Sequence, residues 1–324
     1  MVHEVIQGTA RLSLVGFPIG TPHRAGRMRR ACPFQFAQRP RPRPLVAKEC
    51  VTPSIRFVPN VRTPDADIYY TDSGGAGPVL LLGHGFFMDS SMFAPQIDAL
   101  AGKVRVVAWD SRRHGRTTDP GAAFTYWDLA RDSLAVLDDL GVETAIVGGM
   151  SQGGYTALRT ALLAPERVQA LLLLDTEASA CTDDEKAGYR AMFDQWCSDA
   201  PIEPLVEALA PQLIGGDSRE SWAPWIEKWT SSDRRAIRPA AECLIERDDV
   251  VDRLSAIAVP ALIVRGEHDM SAPAAKAKQL YDHLPLAVPV LTIPGAGHAA
   301  NWTHPQPVNE TIAAFVTMVE TGWL

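Results

Sequence analysis

The chain has 324 residues, of which 46% are hydrophobic and 21% are charged, values typical of a globular protein. No apolar run approaches the roughly 18–20 residues that a membrane-spanning helix needs, which argues against a membrane span. The net charge is −7, but residues 1–50 hold nine basic and two acidic side chains, so the remainder holds 22 basic and 36 acidic ones; this acidic body disfavours nucleic acid as a partner.

The first 52 residues differ from the rest of the chain. They contain RPRPRP at 39–44, and alternating arginine and proline favours an extended polyproline-like conformation. The apolar stretch 12–17 is too short for a secretory signal. We expect 1–52 to be a disordered Arg/Pro-rich extension, and the alternative is a basic arm that touches nucleic acid or a membrane.

From about residue 53, short apolar runs alternate with amphipathic helical patterns. The first two runs predict an antiparallel pair, and the later ones are continuous Val/Leu/Ile stretches typical of strands buried on both faces of a parallel sheet. The predicted strands are 54–58, 68–70, 79–82, 104–109, 145–147, 170–174, 261–264 and 288–293. Helical patterns cover about 91–101, 124–140, 152–164, 272–284 and 306–320. This alternation predicts a doubly wound α/β sheet.

One interval breaks the alternation. Between Asp175 and Val259 about eighty residues show helical segments, four tryptophans and no good strand. We expect a helical insertion placed over the end of the sheet.

A serine lies in a glycine-rich stretch directly after the fifth predicted strand. Gly149-Met150-Ser151-Gln152-Gly153 has the form G-x-S-x-G and opens an amphipathic helix. This strand–turn–helix context predicts a sharp, strained turn that exposes a nucleophilic Ser151. The alternative is an ordinary glycine-rich turn with a buried serine. Gly148 receives no role from the sequence.

A serine nucleophile needs a histidine base and an acid that orients the base. His298 follows the last predicted strand in a glycine-rich loop, and Asp269 follows the strand before it. We therefore predict Asp269 as the acid and His298 as the base, in the chain order Ser, Asp, His. Asp175 is the alternative acid, because it also stands at the end of a strand.

Acyl transfer also needs hydrogen-bond donors for the oxyanion that develops on the substrate carbonyl. The backbone N–H of Phe86, in a loop after the third predicted strand, and that of Gln152, beside the serine, are the natural pair. We expect His84 to be a structural hydrogen-bonding residue beneath the site.

The body of the chain resembles the α/β-hydrolase superfamily. The motifs that carry the resemblance are LLGHGFFMDSSMF (81–93), WDSRRHGRT (109–117), GGMSQGG (148–154), VRGEHD (264–269) and PGAGH (294–298). Within the superfamily it is similar to 3-oxoadipate enol-lactone hydrolases, carbon–carbon-bond hydrolases and cofactor-free haloperoxidase or perhydrolase esterases. Arg113 stands where the family usually has glycine. The carbon–carbon hydrolases usually carry a longer, glycine-rich segment after the His-Gly pair, and this chain has Phe86-Phe87-Met88 there.

The resemblance implies an α/β-hydrolase fold, a mostly parallel eight-stranded twisted sheet flanked by helices. It implies a core of 53–175 and 257–324, with a helical cap of 176–256 inserted after strand 6. It also implies roles for the residues singled out above: Ser151 as nucleophile, His298 as base, Asp269 as acid, and backbone donors at Phe86 and Gln152. A serine in place of an aspartate disfavours dehalogenases and epoxide hydrolases of this fold.

Aromatic and methionine side chains in the insertion and after the His-Gly pair suggest an apolar substrate pocket. The candidates are Phe87, Met88, Trp196, Trp222 and Trp225; ordinary packing is the alternative for each tryptophan. We predict a serine hydrolase of small hydrophobic esters or lactones. Cleavage of a carbon–carbon bond in a diketone, perhydrolysis on the same triad, or a non-catalytic ligand receptor remain alternatives.

The five cysteines are scattered, without a CxxC pair. This is neither a disulfide framework nor a zinc pattern, and it fits a reducing cytoplasm. We predict a cytoplasmic protein that uses no cofactor or metal. A homodimer is compatible with the sequence.

Overall fold

The computed structural model describes residues 56–216 and 218–324. In this part of the chain, eight strands form one sheet: β1 (Arg56–Arg62), β2 (Asp67–Asp72), β3 (Val79–Gly83), β4 (Arg105–Trp109), β5 (Ala145–Met150), β6 (Val168–Leu174), β7 (Ala261–Gly266) and β8 (Leu291–Ile293). Their order is β1-β2-β4-β3-β5-β6-β7-β8. β2 is antiparallel to β1 and to β4, and all other neighbours are parallel. The predicted mostly parallel eight-stranded sheet is therefore confirmed.

Two edge strands differ from the predicted bounds. β1 continues to Arg62, while residues 54 and 55 of the predicted strand lie outside the described residues. β8 has three residues rather than six. Pro289 interrupts the predicted run, because proline has no N–H to donate to a sheet. An isolated bridge between Ala261 and Ala287 lies directly before the predicted run. The predicted extension 1–52 also lies outside the described residues.

Six helices in the described residues flank the sheet. They are α1 (Ala94–Leu100), α2 (Tyr126–Asp139), α3 (Gln152–Leu163), α8 (Ala274–His283), α9 (Ala300–Thr303) and α10 (Pro305–Glu320). α2 begins with a capping box, in which the Thr125 hydroxyl accepts the Asp128 N–H and the Asp128 carboxylate accepts the Thr125 N–H. Such a box satisfies two backbone donors that a helix start leaves unpaired.

The chain between β6 and β7 forms four further helices. These are α4 (Asp183–Trp196), α5 (Glu203–Leu213), α6 (Arg219–Ser231) and α7 (Arg238–Ile245), called the inserted helices below. These helices and the sheet belong to one compact unit, and that unit spans Pro53–Leu324. In the described part of the chain, no helix is both long and apolar enough to cross a membrane.

The sheet topology brings the predicted site residues to one edge. Because β3 to β8 run parallel, their carboxyl ends share that edge, where open α/β sheets bind their ligands. The segments that follow β3, β5, β6, β7 and β8 carry Phe86, Ser151, Asp175, Asp269 and His298, respectively. The strands are anchored by apolar side chains buried on both faces.

The buried strands should dominate stability. Leu172 in β6 is fully buried, whereas Leu163 at the end of α3 is 41% exposed. We expect Leu172→Ala to lower the free energy of unfolding by about 2–5 kcal/mol, because it leaves a cavity. The control Leu163→Ala should stay within about 0.5 kcal/mol of the wild type. Urea unfolding measures both, and equal effects of the two variants would contradict this account of the core.

Candidate active site

Ser151 occupies a strained turn between β5 and α3. Its φ is 52° and its ψ −113°, in a region that non-glycine residues occupy at a cost of about 1–3 kcal/mol. Four hydrogen bonds hold the turn. Its N–H donates to the Leu174 carbonyl at 2.9 Å, and its carbonyl accepts the Gly154 N–H at 2.9 Å, the Tyr155 N–H at 3.2 Å and the Thr176 hydroxyl at 2.7 Å. The side chain is half-buried and makes no hydrogen bond to the described residues.

The glycines around Ser151 permit close backbone approach. A Cβ on Gly153 would lie 1.9 Å from the carbonyl oxygen of Gly83 at the end of β3, and a Cβ on Gly149 would lie 2.3 Å from the same atom. Gly148 has a role that the sequence did not reveal, since a Cβ there would lie 2.4 Å from the Leu172 carbonyl oxygen. The turn therefore depends on small residues on both sides.

His298 and Asp269 form a buried pair. Nδ1 of His298 lies 2.9 Å from Oδ1 of Asp269, and that oxygen also accepts the N–H groups of Ser271 and Ala272 at 2.9 Å. Burial lowers the pKa of His298, but the charge and hydrogen bond of Asp269 outweigh it, and the pKa is raised above 6.5. The carboxylate thus holds the ring by Nδ1, which leaves Nε2 as the atom able to exchange a proton.

The alternative acid Asp175 lies near the pair but has other partners. Its Oδ1 accepts the Gly266 N–H at 2.6 Å, and its Oδ2 accepts the Ala300 N–H at 3.3 Å. Burial and the charge of Asp269 raise its pKa well above the ordinary value. Asp175 therefore ties the end of β7 to the loop that carries His298.

Phe86 and Gln152 lie in the two segments that adjoin at Gly83 and Gly153. Neither backbone N–H donates a hydrogen bond within the described chain, and Gln152 is the first residue of α3, where helix N–H groups lack internal partners. The Gln152 side chain donates to the Ser111 hydroxyl at 3.3 Å. Both N–H groups are thus unpaired within the described chain.

A cavity of about 530 Å³ lies between the inserted helices and the core loops. Phe87, Met88 and Trp196 line it, together with Trp229. Ser151 and His298 are not among its lining residues.

Two of the predicted pocket tryptophans are in packing positions away from this cavity. The Trp222 indole N–H donates to the Gly215 carbonyl at 2.8 Å, and the Trp225 ring packs edge-on against Trp302 at 5.5 Å. Both side chains join α6 to neighbouring segments. Spacing along α6 could not distinguish these faces of the helix, because the contacts come from distant parts of the chain.

Arg113 stands where glycine is usual and has a left-handed backbone. Its φ is 66°, a conformation that favours glycine. Its N–H donates to the Asp119 carboxylate at 3.1 Å, and its Nε donates to the Ala236 carbonyl at 2.6 Å. The side chain thereby connects this loop to the inserted segment.

The described residues hold no group of three His, Cys, Asp or Glu side chains suited to a metal ion.

The family model for the α/β-hydrolase fold matches residues 78–305. The chain belongs to the α/β-hydrolase family. Serine hydrolases of this fold place a serine, an acid and a histidine at the carboxyl edge of the sheet in that chain order. The same edge carries Ser151, Asp269 and His298 here.

Similar proteins include esterases and lactonases. The chain is 25% identical to 3-oxoadipate enol-lactonase 2 of Acinetobacter baylyi, over 81% of this chain and 97% of the relative. It is 25% identical to a thermophilic esterase from Thermogutta terrifontis, with a TM-score of 0.73 over 82% of this chain and 98% of that one. The enol-lactonase from Burkholderia xenovorans is 25% identical, with a TM-score of 0.70 over 78% and 97% of the two chains.

The contact at Gly153 has a measurable consequence. We expect Gly153→Ala to lower the free energy of unfolding by about 3 kcal/mol or more, because the new Cβ meets a backbone oxygen that cannot turn away. Gly188 in α4 is the control, since a Cβ there has no atom within 4 Å and alanine favours a helix by about 1 kcal/mol. Urea unfolding of both variants checks this; an unaltered Gly153→Ala protein would contradict it.

Proposed function

We propose that the protein is a serine hydrolase that cleaves small, hydrophobic carboxylic esters or lactones through an acyl-enzyme intermediate. The observation that carries the proposal is the buried 2.9 Å hydrogen bond between Asp269 and His298, at the sheet edge where Ser151 stands on a strained turn. The names of the similar proteins, esterase and enol-lactonase, support the same reaction class.

The reaction takes place in two steps. In the first step, Nε2 of His298 accepts the proton of the Ser151 hydroxyl while Oγ of Ser151 attacks the substrate carbonyl carbon. The oxyanion accepts hydrogen bonds from the N–H groups of Phe86 and Gln152, each worth about 3–4 kcal/mol in a transition state. His298 then gives its proton to the leaving alkoxide, and the acyl group stays on Ser151.

The second step repeats this chemistry with water. His298 accepts a proton from water, the hydroxide attacks the acyl carbon, and the same proton returns to the serine oxygen as the acid leaves. Throughout, Asp269 stabilises the imidazolium and keeps the Nδ1 proton in place. Asp175 contributes as a buried brace of the loops that carry this pair.

The inserted helices form the cap of the site in this proposal, with 176–256 as the cap and 53–175 and 257–324 as the core. Phe87, Trp196 and Trp229 give the cavity one aromatic side, which supports an apolar group in the substrate. Charged side chains, among them Asp110 and Lys228, belong to the same lining. Trp222 and Trp225 support the cap by packing.

Labelling of the nucleophile tests the proposal. A fluorophosphonate should bond covalently to Ser151 in the wild-type protein, and Ser151→Ala should abolish both labelling and ester turnover. The exposed Ser255, outside the cavity lining, gives a matched control, Ser255→Ala, which should label normally. A folded wild-type protein that fails to label would overturn the proposed function.

A substrate panel separates the reactions that share this triad. We expect p-nitrophenyl esters and lactones to turn over faster than vinylogous diketones, and faster than peracid forms from an ester and hydrogen peroxide. Faster cleavage of the diketone would move the proposal to carbon–carbon hydrolysis.

The pH dependence reports the base. Only neutral His298 accepts a proton, and Asp269 raises its pKa above 6.5. We therefore expect kcat/KM to rise with pH through an ionisation above pH 6.5. Asp269→Asn removes the charge that raises the pKa, so the acid limb should move to lower pH while the plateau falls. A limb that stays in place in this variant would exclude His298 paired with Asp269 as the titrating base.

A further inference from the structure

The chain after β3 makes a tight turn with an unusual residue at its third position. The Met88 N–H donates to the Gly85 carbonyl at 3.1 Å, so 85–88 is a β-turn. Phe87 has a φ of 63°, while Phe86 is not among the residues with positive φ. This sign pattern is that of a type II turn, whose third position normally requires glycine. A phenylalanine there needs outside support.

That support comes from three side chains. The Phe87 N–H donates to Nε2 of His114 at 3.3 Å, and the Phe87 carbonyl accepts the indole N–H of Trp229 at 2.7 Å. The Phe87 ring stacks on Trp196 with a centroid distance of 4.0 Å. The conformation is thus fixed on both sides of the Phe87 Cα and at its ring.

His84 holds the preceding peptide unit. Its Nε2 accepts the Ser111 N–H at 3.0 Å, so the ring proton lies on Nδ1, which donates to the Gly85 carbonyl at 2.8 Å. In a trans peptide the carbonyl oxygen and the N–H point in opposite directions. Fixing the Gly85 oxygen on His84 therefore directs the Phe86 N–H to the other side.

His114 is also the tautomer that carries its proton on Nδ1. Because its Nε2 accepts the Phe87 N–H, its proton lies on Nδ1, 3.0 Å from the Arg112 carbonyl oxygen. Burial lowers the pKa of His84 to about 4 and that of His114 to about 3. Both rings are therefore neutral near pH 7, as these hydrogen bonds require.

A single hydroxyl links these rings to the second oxyanion donor. Oγ of Ser111 lies 3.1 Å from Nε2 of His84 and 3.3 Å from Nδ1 of His114, and it accepts the Gln152 side-chain amide at 3.3 Å. His84, Ser111, His114 and Gln152 thus form one buried network. It holds the 85–88 turn, which carries the Phe86 N–H, and the side chain of Gln152, whose backbone N–H is the second donor.

We propose that His84 and His114 are positioning residues for the oxyanion site: two neutral, Nδ1-protonated histidines that hold successive peptide units of the 85–88 turn and so orient the Phe86 N–H. This inference rests on the proposed function. His114 acts through the turn and does not touch the reacting atoms. Its loss frees the Phe86–Phe87 peptide and with it the backbone dihedrals of Phe86. The neighbouring Gly85–Phe86 peptide, which carries the donor N–H, then loses its fixed direction in the transition state.

Two polar variants of one residue test this. His114→Gln can still place an acceptor near the Phe87 N–H, whereas the shorter side chain of His114→Asn cannot reach it. We expect His114→Asn to lower kcat about 10- to 100-fold with KM within about twofold, because an oxyanion donor acts in the transition state. His114→Gln should recover most of kcat. Affinity for a trifluoromethyl ketone, which forms a tetrahedral adduct with the serine, should fall in parallel with kcat/KM.

The controls separate positioning from general destabilisation. Ser133→Ala removes a buried hydroxyl that bonds to Thr160 between α2 and α3, and it should lower stability without changing kcat. If His114→Asn does not fold, Ser111→Ala, which breaks the link between the two rings, should lower kcat and the ketone affinity together. A rise in KM alone, or equal losses in the Asn and Gln variants, overturns the inference.

Two outcomes distinguish this inference from the proposed function. Turnover that survives Ser151→Ala overturns both. Turnover that depends on Ser151 but keeps the wild-type kcat in folded His114→Asn overturns the positioning role alone.

Discussion

The contact between Gly153 and the Gly83 carbonyl controls the geometry of the whole site. It brings the start of α3 against the end of β3, where a Cβ would meet the oxygen at 1.9 Å. The two chain segments that continue from this contact carry Gln152 and Phe86. The separation of the two proposed oxyanion donors is therefore set by the absence of a side chain. The strained turn of Ser151 lies within the same contact, which explains why stability and activity should be linked here.

Much of this arrangement could be predicted from the sequence, because it depends on local signals. Apolar runs marked the buried strands, and the glycines around Ser151 marked a turn that other residues do not tolerate. The parts that could not be predicted depend on distant contacts. Pro289 shortens β8, Leu172 of a neighbouring strand explains Gly148, and α6 turns Trp225 towards Trp302. The left-handed Phe87 has no local signal at all, since its supports lie far away in the chain.

The inserted helices also support both halves of the proposed site. Trp229 donates to the Phe87 carbonyl in the 85–88 turn, and the Ile214 carbonyl accepts the Ala299 N–H beside His298 at 2.9 Å. One segment therefore contacts both the 85–88 turn and the loop that carries His298. A displacement of this segment would therefore disturb both loops together.

The central claim is that hydrolysis proceeds through an acyl group on Ser151 activated by the Asp269–His298 pair. Partition of that acyl group between water and methanol tests it most directly. Different esters of one acid give the same acyl-enzyme, so the ratio of the two products does not depend on the leaving group. For p-nitrophenyl, phenyl and trifluoroethyl esters of one acid, the ratio of methyl ester to free acid should be the same and should require Ser151. A ratio that changes with the leaving group would contradict the acyl-enzyme account.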